Sequence, residues 1–306
     1  MDKKREKGIP FFEAVSSYSF WRSNNVKSTT VENYQRMLAH FGIFIQNKDL
    51  QDIVWQDVSK YFELMKKAGY MQNTLIPIAI ALRTFLEFYH KQNVQCLDPE
   101  MIPIPHKEYT QPRVITDEHY KKLIDVIPIN NDPRHVRNLA IIKLLRDTGA
   151  RFGEILSLDV DDIQYRKAVI KTEKSKGKRP FRQIFWSEDT QKHLEKWLER
   201  RKHLETLMKF KSPKALFISI SFRNGERFTI KGGGEMMRRY SHEAGIPVIN
   251  AHSFRHRIGH DIINKGGSAA DVMNILGHAT LASSSVYVQM YGEEVEHRYR
   301  ELLDLK

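Results

Sequence analysis

Residues 251–264, AHSFRHRIGHDIIN, set His252, His256 and His260 four apart, with Arg255 and Arg257 among them. Side chains three or four apart share one face of a helix, so this spacing admits a metal site, a basic surface or a phosphate-handling centre. Asn250 or Ser253 can start the helix. His252 and Arg255 then project together near its N-terminus, where free backbone N–H groups and the helix dipole favour an anion. A second arginine, Arg151, lies in DTGARFGEILSL, where Gly149 ends one helix and Arg151 stands at the mouth of the next. The basic run from Lys171 to Arg182 reads as a turn between two strands that can carry a lysine over a bound ligand. In LGHATLASSSVYVQMY, His278 follows a glycine break and Tyr287 comes nine residues later. Zinc wants three or four converging ligands. The chain has no HExxH, no cysteine near these histidines and only Asp261 as an acidic neighbour, so no metal is expected and His256 is read as a packing or supporting residue.

The elements that must position these groups fall into two sets. With 306 residues and 41% apolar composition, the chain can build two domains, each with its own core. Residues 11 to about 95 read as helices only. TTVENYQRMLAHFGIFIQN repeats apolar residues at spacings of three and four, with Thr29 or Thr30 as N-cap. QDVSKYFELMKKAG repeats the pattern and stops at Gly69, and NTLIPIAIALRTFLEFYHKQN is the most apolar helix, with Pro77 tolerated in its first turns. Tyr18, Tyr61 and Tyr89 fall in these helices as core or groove aromatics. Four prolines then fall in LDPEMIPIPHKEYTQPRVIT, which marks a linker. The boundaries expected are 1–96, a linker over 97–112, and 113–306. The second domain opens with a helix capped at Thr116, followed by one that Gly149 ends; short strands KAVIKT and RQIFW come next, and helices return from Thr190. The fold class is therefore mostly α with one small β-sheet, the second domain being α+β in character.

Composition narrows the partner. The net charge of +12 points to a polyanion. No apolar run reaches the roughly eighteen residues of a membrane span, and MDKKREKGIP has no signal-peptide pattern, so no membrane partner is expected. The single cysteine, Cys96, rules out an intramolecular disulfide and suits a reducing cytoplasm.

In this order and spacing, TGARFGE, the basic turn, HSFRH, LGH and a tyrosine nine residues on resemble the tyrosine recombinase (phage integrase) family, with the layout of Xer-like recombinases and TnpI-type transposon resolvases. The likeness covers nearly the whole chain: the helical part resembles the family's SAM-like core-binding domain and residues 113–306 its catalytic domain. It implies a site-specific recombinase that cleaves and rejoins double-stranded DNA at a recombination site through a 3′-phosphotyrosyl link and a Holliday junction, needing no cofactor. Such an enzyme would work as a homotetramer on synapsed DNA, integrating or excising a mobile genetic element or resolving cointegrates. The resemblance makes Tyr287 the nucleophile, Arg151 and Arg255 the phosphate clamp, His252 and His278 proton-handling or phosphate-positioning groups, and Glu154 a supporting residue. Phosphoryl charge without a metal calls for such forked cations, and a phenol of pKa about 10 needs help to ionise.

The family's hairpin lysine fits Lys176 best, because Gly177 follows it, with Lys174 as the alternative; Lys171, Lys178, Arg179 and Arg182 are expected to contact DNA. Here KGKRPFRQIFW has one residue more than the usual pattern and lacks the proline after the arginine, which leaves the strand register open, and Phe254 stands where leucine is usual. Tyr291 shares a helical face with Tyr287, but the nine-residue spacing favours Tyr287. The amphipathic tail GEEVEHRYRELLDLK is expected to form a helix that docks on a neighbouring subunit. A type IB topoisomerase would share the chemistry without synapsis, and an architectural DNA-binding protein would share only the fold. The set of catalytic residue types favours the recombinase.

Overall fold

The computed structural model describes residues 8–108, 113–171, 181–220 and 225–277, and the chain divides into two compact units, 1–110 and 111–306. In the first unit the apolar periodicity becomes α1 (Phe11–Ser23), α2 (Ser28–Phe44), α3 (Trp55–Lys67) and α4 (Gln72–His90). Their shared core is aromatic. Phe11 meets Phe41 and Phe85 edge-on, with centroids 5.6 and 5.1 Å apart, an arrangement the ring quadrupoles favour. All three tyrosines expected inside are buried. The Tyr89 hydroxyl donates to the Ala14 carbonyl at 2.8 Å, and Tyr61 pairs with His40 Nδ1 at 2.8 Å. α2 starts at Ser28, slightly ahead of the expected threonine caps. Lys27 is its N-cap, and the Lys27 carbonyl accepts from Thr30 N–H, so the main chain rather than a hydroxyl closes the first turn.

The proline-rich stretch is built onto this unit as far as Glu108. Asp98 caps a single 3₁₀ turn, Ile102 is fully buried in the aromatic core, and Arg83 donates to the Ile102 carbonyl at 2.8 Å. Gln72 holds the His106 carbonyl, and Asn73 makes a reciprocal pair with the Glu108 backbone at 2.8 and 2.9 Å. Proline removes backbone donors, and α4 side chains supply partners for the carbonyls left over.

The second unit contains α5 (Asp117–Asp125), α6 (Pro133–Thr148), α7 (Phe152–Ser157), β1 (Ile163–Gln164), β2 (Lys167–Lys171), β3 (Phe181–Phe185), α8 (Glu188–Leu207), α9 (Ile230–Glu243), α10 (Ala251–Asn264) and α11 (Ala269–Leu276). Thr116 caps α5 by accepting from His119 N–H, as its sequence suggests. α8 begins just before Thr190, because Ser187 accepts the Thr190 N–H and is itself held by Asp147. α6 is the central helix, with Ile141, Ile142, Leu144 and Leu145 fully buried. The sheet is antiparallel in the order β1-β2-β3, and its β2–β3 register pairs Ala168 with Ile184, Ile170 with Arg182 and Lys171 with Phe181. Ala168, Ile170 and Ile184 face the core, while Phe181 and Phe185 are exposed. Trp197 on α8 is fully buried and donates to the Leu216 carbonyl at 2.9 Å. Among the described residues, no helix is long and apolar enough to cross a membrane.

Candidate active site

Two glycine-ended helices and two helix starts meet at one place. Gly149 closes α6 with φ 56°, a left-handed conformation that costs glycine little, and Arg151 follows as the extended N-cap of α7. Glu154, at the third position of α7, reaches back to the Arg151 N–H with Oε2 at 2.8 Å and takes the Arg151 guanidinium on Oε1 at 2.8 Å. Another arm of Arg151 reaches the Gly277 carbonyl at 3.3 Å, at the left-handed end of α11. Arg151 keeps 43% of its side chain exposed.

Asn250 starts α10 by accepting from Ser253 N–H at 3.0 Å, which settles the choice of cap. Arg255, one turn in, is only 4% exposed and donates to the Gly149 carbonyl at 3.0 Å and the Leu276 carbonyl at 2.6 Å. Helix C-terminal carbonyls lack intrahelical donors and carry the negative end of the dipole, so both guanidiniums sit where backbone geometry already favours a cation. His252 is exposed at the head of α10. Protein packed against its ring, and then the charges of Arg255 and Arg151, hold its imidazole below the ordinary value. His256 is half-buried, and burial followed by His252, Arg255 and His260 lowers it in the same direction. Phe254 is fully buried and meets Tyr120 edge-on. Among the described residues, no cluster of three His, Cys, Asp or Glu could hold a metal ion.

α10 is braced from behind. Arg257 donates to Asp261 at 2.7 Å and Asp117 at 2.8 Å, Arg146 reaches Asp117 at 3.2 Å, and Ile115 N–H meets the Ser253 carbonyl at 3.4 Å. The sequence reading missed this brace. The four-residue step from Arg257 to Asp261 was its one legible sign.

Arg182 is where the structure departs most from expectation. It was grouped with the DNA-facing basic run, yet its side chain is 8% exposed and turned inward. It donates to Glu154 Oε2 at 2.6 Å and to the Ile275 carbonyl at 3.0 Å. The cause is strand alternation: Arg182 lies two residues before buried Ile184 and opposite buried Ile170, so it falls on the core side of β3. Burial alone would raise the Glu154 carboxyl. The Arg182 charge, the Arg151 N–H and hydrogen bonds from both guanidiniums outweigh it and leave the group below its usual range.

The structure thus brings together Arg151, Glu154, His252 and Arg255, and adds Arg182 as a buried partner. Lys171 ends β2, but its side chain is not among those described. Lys174, Lys176, Lys178, Arg179, His278, Tyr287, Tyr291 and the expected docking tail lie outside the described residues.

A family model described as the phage integrase family matches residues 113–294, and one described as the phage integrase N-terminal SAM-like domain matches residues 19–93. The chain belongs to the phage integrase family. It is a tyrosine-type site-specific recombinase, an enzyme that breaks and rejoins DNA strands. Among its relatives, tyrosine recombinase XerD of Oceanobacillus iheyensis is 25% identical over 283 residues, covering 90% of this chain and 92% of that protein. Tyrosine recombinase XerC of Alcanivorax borkumensis is 26% identical over 263 residues, covering 85% and 83%. Two solved structures share the integrase fold. The XerH site-specific recombinase bound to its difH substrate matches with a TM-score of 0.72 at 18% identity, covering 96% of this chain and 97% of that one. The Tn1549 transposon integrase in complex with transposon right-end DNA matches at 0.73 and 16%, covering 97% and 100%.

Proposed function

We propose that Tyr287 is the nucleophile and that the reaction proceeds through a 3′-phosphotyrosyl intermediate. The tyrosine oxygen bonds to the scissile phosphorus, the bond to the 5′ oxygen breaks, and the departing hydroxyl takes its proton from the hairpin lysine, Lys176 or its alternative Lys174. Arg151 and Arg255 meet the charge that builds on the non-bridging oxygens, with His252 and His278 as further donors, so no metal is called for. Glu154 supports Arg151, while Lys171, Lys178 and Arg179 contact the DNA backbone and set its position rather than reading its bases. The free 5′ hydroxyl of a second strand reverses the step, and the energy of the broken bond is kept in the phosphotyrosyl link. Four copies on two synapsed duplex sites exchange strands in pairs through a Holliday junction. Such exchange integrates or excises a mobile element, or resolves a cointegrate, according to how the sites are placed. The work is done in the cytoplasm.

One observation carries the reading: Arg151 and Arg255 are both fixed by turn carbonyls at the ends of α6 and α11, and the charges of both bear on His252. Its test is a nicked suicide duplex made from DNA that the protein selects. The full chain should form a covalent protein–DNA adduct that Tyr287→Phe abolishes. An adduct that survives in Tyr287→Phe, or none with the natural chain, refutes the assignment.

A further inference from the structure

Arg182 has committed both arms of its fork inside the protein. Its Nη atoms hold Glu154 Oε2 and the Ile275 carbonyl, and its Nε is buried beside Gly277 with no hydrogen-bond partner among the described residues. The fit there is tight: a Cβ on Gly277 would come within 2.6 Å of Arg182 Cδ and 2.9 Å of Nε. An arginine that binds a DNA phosphate needs its fork open to solvent. This one does not have it.

We infer that Arg182 is a positioning residue for strand cleavage, which aims Arg151 through Glu154 and ties the lysine-bearing hairpin to the end of α11. Glu154 Oε2 accepts from both the Arg151 N–H and Arg182, so one carboxylate oxygen is shared between the phosphate clamp and β3. The carbonyl that Arg182 holds, on Ile275, immediately precedes those of Leu276 and Gly277, which hold Arg255 and Arg151. At its other end, Arg182 lies next to Phe181, the partner of Lys171 in the last described pair of the ladder. The segment that carries Lys174 and Lys176 follows Lys171 directly in the chain. A shift of Arg182 is therefore felt by both arginines and by the base of the hairpin. The inference rests on the roles proposed above for Arg151 and the lysine.

Two measurements on the full chain separate positioning from DNA contact: the single-turnover cleavage rate on the nicked suicide duplex at saturating DNA, and the affinity for intact duplex as a function of salt. Arg182→Met should lower the cleavage rate about a hundredfold, the scale of a misplacement near 1 Å. It should leave affinity and salt slope unchanged. A lost phosphate contact gives the reverse, weaker binding and a salt slope smaller by about one with normal cleavage at saturation, and that result overturns the inference. Arg182→Lys keeps the charge but reaches only one acceptor, so its cleavage rate should lie between the two. If Arg182→Met does not fold, Arg182→Lys carries the same comparison. Combined with Glu154→Gln, Arg182→Lys should cost no more than the slower single variant, because both act along one route, whereas multiplying losses would refute that route. A natural chain that forms no adduct sinks the parent reading and this inference with it, whereas an adduct formed at the natural rate by Arg182→Met sinks only the inference.

Discussion

Replacing Gly277 by alanine should destabilise the second unit in two separable ways. Gly277 sits at φ 67°, and a left-handed backbone costs a residue with a Cβ about 1–2 kcal/mol. The new methyl would also lie 2.6 Å from Arg182 Cδ. A flexible side chain can usually swing away from such a contact. Here Cδ is mid-chain and the far end is fastened to Glu154 and Ile275, so yielding breaks one of those bonds. Overpacking of this kind typically costs ~1–3 kcal/mol, which brings the total to about 2–5 kcal/mol. Gly266 supplies the matched control. It has φ 84° in the same unit and nothing within 4 Å of its would-be Cβ, so Gly266→Ala should show the backbone cost alone. Urea unfolding of both variants beside the natural chain gives the difference, and the transition that Gly266→Ala shifts is the one belonging to the second unit. Gly277→Ala should lose ~1–3 kcal/mol more than Gly266→Ala. It should also cleave DNA more slowly at saturation, because Arg151 shares the displaced carboxylate. Equal losses in the two variants would mean that Arg182 moves freely, and the account of a clamped side chain fails.

DNA binding should take up protons near pH 6.5 through His252. Protein packed against its ring, then the charges of Arg255 and Arg151, hold its pKa below the ordinary value in the free protein, and an arriving phosphate favours the charged ring; calorimetry in two buffers of different ionisation enthalpy reads the uptake, and an unchanged value in His252→Gln would exclude this residue as its source. The same depression has a sign for stability: the neutral rings of His252, His256 and His193 contribute fully above the unfolded value of about pH 6.5, and that contribution is lost below it as the pH falls through their lower folded pKa values, which urea midpoints between pH 8 and pH 5 should show. Arg137→Ala should cost ~2–6 kcal/mol by urea titration, because it strands the buried Asn138 Oδ1 and Ile218 carbonyl at about 1–3 kcal/mol each. A loss below about 1 kcal/mol would show that neighbouring donors replace the guanidinium.

Much of this arrangement was legible because local signals and tertiary needs coincide. Gly149 ends α6 and Thr116 starts α5 as their residue types suggest, and KAVIK and RQIF alternate as strands do. β1 is too short to show a period, and it exists because Ile163 and Gln164 pair with β2. The face of Arg182 was legible in principle, since alternation from Ile184 already points it inward. Its charge and its basic neighbours suggest solvent instead, and the partners that let it be buried lie far off in the chain: Glu154, twenty-eight positions earlier, and Ile275, ninety-three later. The same holds for the Arg257 brace: Asp117 is 140 positions away, and no short-range pattern carries such a pairing.

For the phosphate clamp proposed here, carbonyls are a better mount than carboxylates. A carboxylate on each arginine would cancel the charge that the phosphate is meant to meet, whereas a turn carbonyl fixes a guanidinium through its dipole and leaves the full charge in place. Arg255 uses this device with Gly149 and Leu276, whereas Arg151 combines it, on Gly277, with an ion pair to Glu154. Glu154 is the carboxylate within the group, and it is shared between Arg151 and Arg182. With three guanidiniums and one carboxylate drawn together, the site remains positive while Glu154 keeps its arginines from repelling one another out of place. Arg182 holds one oxygen of Glu154 and the Arg151 guanidinium the other, so the carboxylate that orients Arg151 is shared rather than given to it alone. A buried arginine thus acts on the exposed one by occupying its partner.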